Sequence, residues 1–318
     1  MHTPYYFSHA RTALKYGLQY LGIKRDDYIL LPDYLCDVLL HPLNQLEIKY
    51  KYYSIKDDLT PNWLELENLV KKKTKAILMV HYFGQPQDIK RFQDFCKAHN
   101  LKLIEDNAHG HGGMYNGQLL GTFSDMGISS PRKTLNTYSG GILWLTGEKL
   151  YKDPDLSSYS IPIYNQLKKP IFDYFPLLKY TIKKVLNNRP KFEDPTAFME
   201  SHITDNSIDK CSRKTIEKTD WEELRKNRQL SYHKWENFAL ENSLVQVYSK
   251  LNPEANPWCF PAYAINREDA INWFEWGWKN NYNVFSWPSL PEKIITDNPT
   301  LERWKRLVCF STEHNYQK

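Results

Sequence analysis

The sequence predicts an α/β fold built on a mostly parallel sheet, and three observations carry that prediction. Short apolar runs typical of strands alternate with longer amphipathic runs typical of helices through the first half of the chain. Residues that favour turns, mainly glycine and proline, stand between these runs. The 318 residues suffice for one large domain and a smaller one. Alternating strands and helices pair the strands in parallel, with right-handed crossovers and helices on both faces.

The first predicted element is an amphipathic helix that Ser8 can cap and that Gly22 ends. Its apolar residues recur at three- and four-residue spacing: Ala10, Ala13, Leu14, Gly17, Leu18 and Leu21. The first-turn amides of Ala10, Arg11 and Thr12 would form an anion site, to which Arg11 adds a positive charge.

Alternating strands and helices follow. Strands are predicted at Tyr28 to Leu31, Ile48 to Tyr53 and Ala76 to Tyr82, and helices after the cap residue Thr60 and from Pro86. The second of these helices would bury one apolar face, formed by Ile89, Phe92, Phe95 and Cys96. This order supplies the parallel strands of the large domain.

A carboxylate at the end of a strand marks the candidate site. Leu101 to Ile104 read as a strand that stops at Glu105 and Asp106, so Asp106 is predicted at its carboxyl end. Ligands collect at that edge of an open parallel sheet. A carboxylate there would meet either a protonated ring nitrogen or a ribose hydroxyl.

A lysine lies on the next turn-rich loop. Ser129 and Ser130 precede Lys133, and the strand Ile142 to Leu145 follows. The hydroxyls can hold a phosphate, and Lys133 would either neutralise it or form a Schiff base with an aldehyde. A lysine alone is usually a solvated surface group. The acid, the hydroxyl pair and the lysine together match the anchors that pyridoxal phosphate needs.

Four motifs in order resemble the DegT/StrS family of sugar aminotransferases. They are Val80-His81-Tyr82-Phe83-Gly84-Gln85-Pro86, Glu105-Asp106-Asn107-Ala108-His109-Gly110-His111-Gly112, Ser129-Ser130-Pro131-Arg132-Lys133-Thr134-Leu135 and Gly140-Gly141. The resemblance implies the fold-type-I transferase architecture, with a large α/β domain and a reduced C-terminal α+β domain. It also implies pyridoxal-phosphate-dependent transamination of a nucleotide-linked keto-sugar, with an amino acid such as glutamate as donor, in surface-polysaccharide or amino-sugar biosynthesis.

The resemblance implies a role for four residues of these motifs. Asp106 would pair with the pyridinium nitrogen, and His109 would lie against the cofactor. Ser129 would bind the cofactor phosphate. Lys133 would hold the cofactor as a Schiff base. Related dehydratases place a histidine where Lys133 stands, so the lysine favours a transaminase.

Two further positions are implied to touch the cofactor. Ala10 and Arg11 stand where the family has a Gly-Ser/Thr pair for the phosphate, and a guanidinium can replace the hydroxyl. Counting from Pro32, Cys36 stands where the family places a residue that covers the ring, with Tyr34 as the neighbouring aromatic choice. The alternative for Cys36 is a small buried apolar residue.

The domain boundary is predicted near residue 215. A large domain would span residues 1–215, with an insert at about 150–200, and a small domain would span 216–318. The predicted elements of the second part are a helix at Asp220 to Asn242, strands at Val245 to Tyr248 and Cys259 to Ile265, a helix from about Arg267 to Lys279, and closing segments at Phe285 to Pro288 and Leu307 to Phe310. Asn206 to Ile208 stand where the family has a segment that reaches the partner subunit.

Composition narrows the class of partner and the compartment. A net charge of +5, from 42 basic and 37 acidic residues, lies in short patches and does not indicate nucleic acid. The five cysteines form no CxxC pair, which argues against zinc and disulfides and fits a reducing cytoplasm. No signal peptide and no long apolar span are found, so no membrane contact is expected.

Histidines raise the question of a metal. His81, His109 and His111 lack carboxylate or cysteine neighbours at a usual ligand spacing, so no metal is expected. His81 and His111 are interpreted as hydrogen-bonded structural groups. The family resemblance implies a homodimer. The alternative to an enzyme is a non-catalytic relative that serves as a binding or assembly partner.

Overall fold

The computed structural model describes residues 3–146, 154–164, 195, 205–296 and 299–313. A sheet of seven strands forms the centre of the first half, in the order β1-β9-β8-β5-β4-β2-β3. Its strands are β1 (Pro4–Phe7), β2 (Tyr28–Pro32), β3 (Lys49–Tyr53), β4 (Thr74–Val80), β5 (Lys102–Asn107), β8 (Met126–Ser129) and β9 (Gly141–Leu145). A small hairpin of β6 (Met114–Tyr115) and β7 (Gln118–Leu119) lies between β5 and β8 in the chain.

Five adjacent strands of this sheet, β3, β2, β4, β5 and β8, run parallel. Strand β9 pairs antiparallel with β8, and β1 pairs antiparallel with β9. The predicted mostly parallel sheet is therefore confirmed. Asp106 pairs with Val80 on one side and with Ile128 on the other, so it lies in the middle of the parallel strands near their carboxyl ends.

Four helices of the first half connect these strands: α1 (Ala10–Tyr20), α2 (Leu40–Gln45), α3 (Trp63–Leu69) and α4 (Ile89–His99). The predicted apolar face of α4 is buried as expected. Gly22 follows α1 with a φ of 72°, a left-handed conformation that glycine adopts without strain and that ends the helix.

The predicted helix starts were wrong by one to three residues. His9 is the N-cap of α1, while the Ser8 amide donates to the Asn206 carbonyl. Asn62, and not Thr60, is the N-cap of α3. Helix α4 begins at Ile89 after the N-cap Asp88, whose side chain accepts from the Arg91 amide. In each case the helix starts after, and not at, the proline or hydroxyl residue that the sequence offered.

Two strands of the large sheet were not predicted. Strand β1 is a tyrosine-rich edge strand, and β8 ends at Ser129, which had been assigned to a turn. Strand β8 has only four residues, in which Met126 and Ile128 alternate with the small Gly127 and Ser129, so its apolar pattern is too short to identify a strand. The predicted insert at about 150–200 lies largely outside the described residues.

A second sheet of four antiparallel strands, in the order β10-β11-β13-β12, occupies the C-terminal part. Its strands are β10 (Val245–Gln246), β11 (Cys259–Tyr263), β12 (Val284–Phe285) and β13 (Leu307–Ser311). The helices described there are α5 (Lys210–Lys218), α6 (Trp221–Glu241), α7 (Arg267–Asn280), α8 (Glu292–Ile295) and α9 (Pro299–Arg306). The predicted long helix is confirmed as α6, which Asp220 caps. The division at residue 215 stays a prediction.

Candidate active site

A cavity of about 350 Å³ opens at the carboxyl edge of the large sheet, between the two sheets. The strand ends and the loops after β5 and β8 provide Asp106, His109, Ser130 and Lys133, which we call the polar wall. The C-terminal part provides Trp258 and Trp287, which we call the aromatic wall. The remaining lining relevant to the site comprises His9, Ala10, Arg11, Cys36, Arg132, Pro288 and Ser289.

Asp106 is the acid of the polar wall. Its side chain is 7% exposed, and its Oδ1 accepts from the Ala108 amide at 2.8 Å. Burial raises the pKa of the Asp106 carboxyl, while the Ala108 amide and the charge of Lys133 oppose that rise. A cationic group placed in the cavity would therefore stabilise the carboxylate that burial disfavours.

Lys133 is the amine of the polar wall. It ends the short 3₁₀ turn Pro131–Lys133, and its amide donates to the Ser130 carbonyl at 3.0 Å. Its Nζ lies 4.8 Å from the ring centre of Trp258 and 5.6 Å from that of Trp287. Burial lowers the pKa of the Lys133 amine, so that burial increases the fraction of neutral, nucleophilic amine.

His109 presents a neutral imidazole to the same cavity. Its Nδ1 accepts from the Phe83 amide at 3.0 Å, so the ring proton resides on Nε2. The imidazole stacks on the Phe83 ring, and its centroid lies 4.5 Å from that of Trp287. Burial holds the pKa of His109 well below its usual value.

The start of α1 forms another side of the cavity. His9, Ala10 and Arg11 line it. The third predicted amide is engaged elsewhere, because Thr12 donates to the His9 carbonyl at 3.1 Å. Gly141 permits the close approach of β9 to this turn, since a Cβ there would lie 2.1 Å from the His9 carbonyl carbon.

The two neighbouring serines of the predicted phosphate site face different surroundings. Ser129 is fully buried, and its hydroxyl lies 2.9 Å from His111 Nδ1, away from the cavity lining. Ser130 lines the cavity. Successive side chains of an extended chain point to opposite sides. The structure therefore brings Ser130, and not Ser129, to the other candidate residues.

Cys36 also lines the cavity. Its Sγ lies 3.6 Å from the Ser289 hydroxyl and 3.7 Å from Asp37 Oδ1, and Ser289 donates to the same Asp37 oxygen at 2.6 Å. Burial raises the pKa of the Cys36 thiol, while Lys133 opposes that rise. Tyr34, the neighbouring aromatic choice, lies behind the cavity and donates to the Trp287 carbonyl at 2.6 Å.

Sequence reasoning missed the aromatic wall and Ser289. Trp258 immediately precedes β11, and Trp287 to Ser289 follow β12, where closing strands had been expected. These residues lie outside the four motifs from which cofactor contacts were predicted. The high tryptophan content of the last quarter was the one available signal, and by itself it is equally typical of a core or an interface.

Two other histidines are hydrogen-bonded groups, as predicted. His81 Nδ1 accepts from the Gln87 amide at 3.0 Å, and its Nε2 lies 2.8 Å from Glu105 Oε1. His111 bonds Ser129 as described above. Within the described ranges, no group of three or more His, Cys, Asp or Glu side chains could hold a metal ion. Nor does any helix in those ranges have the length and apolar character needed to cross a membrane.

Solved structures identify the class of fold. A structure of S. venezuelae DesV in complex with a ketimine intermediate matches with a TM-score of 0.70 at 14% identity, over 100% of this chain and 81% of that chain. Helicobacter pylori PseC, an aminotransferase of pseudoaminic acid biosynthesis, matches with a TM-score of 0.66 at 14% identity, over 98% and 81%. The chain thus has the fold-type-I transferase architecture, which confirms the predicted fold class.

A family model matches part of the sequence. Residues 6–158 match the model of the DegT/DnrJ/EryC1/StrS aminotransferase family, which confirms the predicted resemblance. GDP-perosamine synthase of Vibrio cholerae is 31% identical over 139 residues, 43% of this chain and 38% of that protein. GDP-perosamine synthase of Escherichia coli O157:H7 is 32% identical over 152 residues, 45% and 40% respectively. The matched region thus spans about two fifths of these curated relatives.

Proposed function

We propose that this chain is a pyridoxal-phosphate-dependent aminotransferase. The observation that supports the proposal best is the pairing of Asp106 and Lys133 in one buried cavity at the carboxyl edge of a fold-type-I sheet. Burial raises the pKa of the carboxyl and lowers that of the amine, and the charge of each favours the ionised form of the other. Perturbed groups of opposite charge in a cleft are typical of active sites.

The residues present fit the cofactor. A carboxylate for the ring nitrogen, an amine for the aldehyde and a flat imidazole for the ring all line the cavity, in Asp106, Lys133 and His109. For the phosphate, the start of α1 with Arg11 and the cavity-lining Arg132 supply positive charge. When bound, pyridoxal phosphate supplies an aldehyde that reacts with amines and a ring that withdraws electrons.

Each residue then has a definite task. The lowered pKa of Lys133 increases the fraction of neutral Nζ, the form that would react with an aldehyde and could then take or return a proton as general base and acid. Asp106 would accept a hydrogen bond from a protonated ring nitrogen and favour its charged form. His109 would lie against the ring. Trp258 and Trp287 exclude water from the amine, which strengthens the electrostatic interactions inside the cavity.

The proposed substrates are a nucleotide-linked keto-sugar and an amino acid donor, and the proposed pathway is amino-sugar or surface-polysaccharide biosynthesis. The names of the relatives above support this class. Cavity-lining guanidiniums, of Arg11 and Arg132, suit anionic phosphate groups. We also propose a cytoplasmic homodimer, with a domain division at residue 215.

A non-catalytic relative is the second candidate. Ala10 and Arg11 replace the family's Gly-Ser/Thr pair at the phosphate. The segment expected to reach a partner subunit packs on its own chain, because Ser207 forms a bridge with Phe7 of β1. These two observations favour a protein that kept the fold and lost the reaction.

Cofactor attachment distinguishes the two candidates. The purified chain is mixed with pyridoxal phosphate, its visible absorbance is recorded, and borohydride followed by peptide mass spectrometry locates any adduct. We expect an adduct on Lys133 in the parent chain and none at this position or elsewhere in Lys133→Ala. The control is Lys102→Ala, which removes an exposed lysine that bonds Asp125. A parent chain without adduct, or a Lys133→Ala variant that keeps it, contradicts the proposal.

A further inference from the structure

Arg228 of α6 is a buried cation held by neutral oxygen acceptors. Its side chain is 3% exposed, and its Nη2 donates to the Thr134 carbonyl at 3.0 Å. Its Nη1 donates to the Thr312 hydroxyl at 3.0 Å and lies 3.3 and 3.4 Å from the carbonyl oxygens of Pro257 and Trp258. The planar guanidinium suits this arrangement, because it offers five N–H groups in a fixed fork.

One end of this bridge lies beside the candidate catalytic amine. Thr134 directly follows Lys133, and its amide donates to the Pro131 carbonyl at 2.9 Å to close the turn. The bond from Arg228 to the Thr134 carbonyl therefore restrains the main chain from which the Lys133 side chain extends.

The other end lies at the aromatic wall. The Trp258 amide donates to the Phe83 carbonyl at 2.9 Å, and its ring lies 4.8 Å from Lys133 Nζ. Its carbonyl faces Arg228 and the Thr312 hydroxyl, which lies 2.9 Å away. One guanidinium thus holds the main chain on both sides of the contact between the amine and the ring.

We propose that Arg228 is a positioning residue that fixes the Lys133 amine against Trp258 and keeps water away from it. Arg228 does not line the cavity, and it acts through the Thr134 and Trp258 carbonyls. The catalytic importance of Arg228 rests on the proposed function. Its effect on the Lys133 amine does not, because the hydrogen bonds that produce this effect join protein atoms alone.

Competitive labelling tests the proposal without cofactor or substrate. The intact chain is treated with trace acetic anhydride across pH 6 to 11, and mass spectrometry measures acetylation of Lys133. Since burial is the main cause of the lowered pKa of Lys133, water entry would raise it. In Arg228→Met we expect the labelling midpoint to move by about one pH unit toward that of ordinary lysines.

Arg225→Met is the matched control. Arg225 lies one turn earlier on α6 and donates to the Gly112 carbonyl at 3.2 Å, on a different loop. Arg225→Met should leave the midpoint of Lys133 acetylation unchanged, although it removes a side chain of the same size and charge. Thermal unfolding of each variant establishes that the labelled protein is folded.

Arg228→Lys replaces Arg228→Met if the latter does not fold. It keeps the charge and most of the volume, yet an ammonium cannot reach both the Thr134 and Trp258 carbonyls. A raised midpoint of Lys133 acetylation in a folded Arg228 variant, with an unchanged midpoint in Arg225→Met, supports the proposal. An unchanged midpoint in a folded Arg228 variant overturns it. Adduct formation in the parent chain reports on the proposed function separately, so the two can fail independently.

Discussion

The two walls of the cavity differ in chemistry and in origin. The polar wall consists of titratable or hydroxyl side chains on the strand ends and loops of the large sheet, within the segment that matches the family. The aromatic wall consists of two tryptophans that flank strands of the second sheet, Trp258 before β11 and Trp287 after β12. Lys133 belongs to the first wall, and its Nζ lies against the second. The Lys133 amine is therefore specified by one region, while its environment is specified by another.

The largest expected effect comes from removing a member of the aromatic wall. The Trp287 indole packs against Tyr34, Tyr82, Phe83 and His109. Trp287→Ala should lower the free energy of unfolding by about 3–5 kcal/mol, because it leaves a cavity among these rings. Urea unfolding measures the loss.

The control for that variant is Trp273→Ala, which removes a tryptophan of α7 that packs on Phe238 and Trp276. Both variants should lose stability, but only Trp287→Ala should also raise the midpoint of Lys133 acetylation. Equal midpoints in the two variants would mean that the aromatic wall does not set the environment of the amine.

Two buried histidines, His109 of the polar wall and His111 behind it, should make stability depend on pH. Burial lowers the pKa of His111, behind this wall, to about 3. Between that value and the unfolded pKa, the unfolded chain binds a proton that the folded chain does not. The free energy of unfolding should therefore fall as pH drops below about 6.5, by up to about 1.4 kcal/mol per pH unit for this residue. His109 contributes in the same direction, because its pKa is also lowered.

Urea unfolding of His111→Asn at pH 7, 6 and 5 measures that contribution. The free energy of unfolding should change less with pH in this variant than in the parent chain. Ser129→Ala is the control, since it removes the hydroxyl that bonds His111 but keeps the titrating ring. If His111→Asn keeps the full slope, the buried imidazole is not a source of acid sensitivity.

The smallest effect concerns the two serines. Ser130→Ala should weaken pyridoxal phosphate binding about fivefold, which corresponds to about 1 kcal/mol for a lost hydrogen bond. Ser129→Ala should leave the affinity unchanged, because its hydroxyl bonds His111 outside the cavity lining. Titration of the visible absorbance provides both constants. The reverse order of effects would restore the assignment that the sequence favoured.

The sequence by itself determined the parallel sheet, the position of Asp106 at a carboxyl edge and the lysine on the following loop. Each depends on local pattern or on closely spaced motifs, because strand periodicity and turn residues act over a few positions. Side-chain orientation at a strand end was not determined, since a shift of one residue turns Ser129 inward and Ser130 toward the cavity.

Only the tertiary structure decided what surrounds the amine. Trp258, Trp287 and Arg228 lie in separate segments of the C-terminal part, and no sequence spacing relates them to Lys133. Their contacts arise when the second sheet packs on the edge of the first, and such long-range packing is fixed by shape and burial of the whole core. The lowered pKa of Lys133 follows from that burial, so it is a property of the fold and not of the motif.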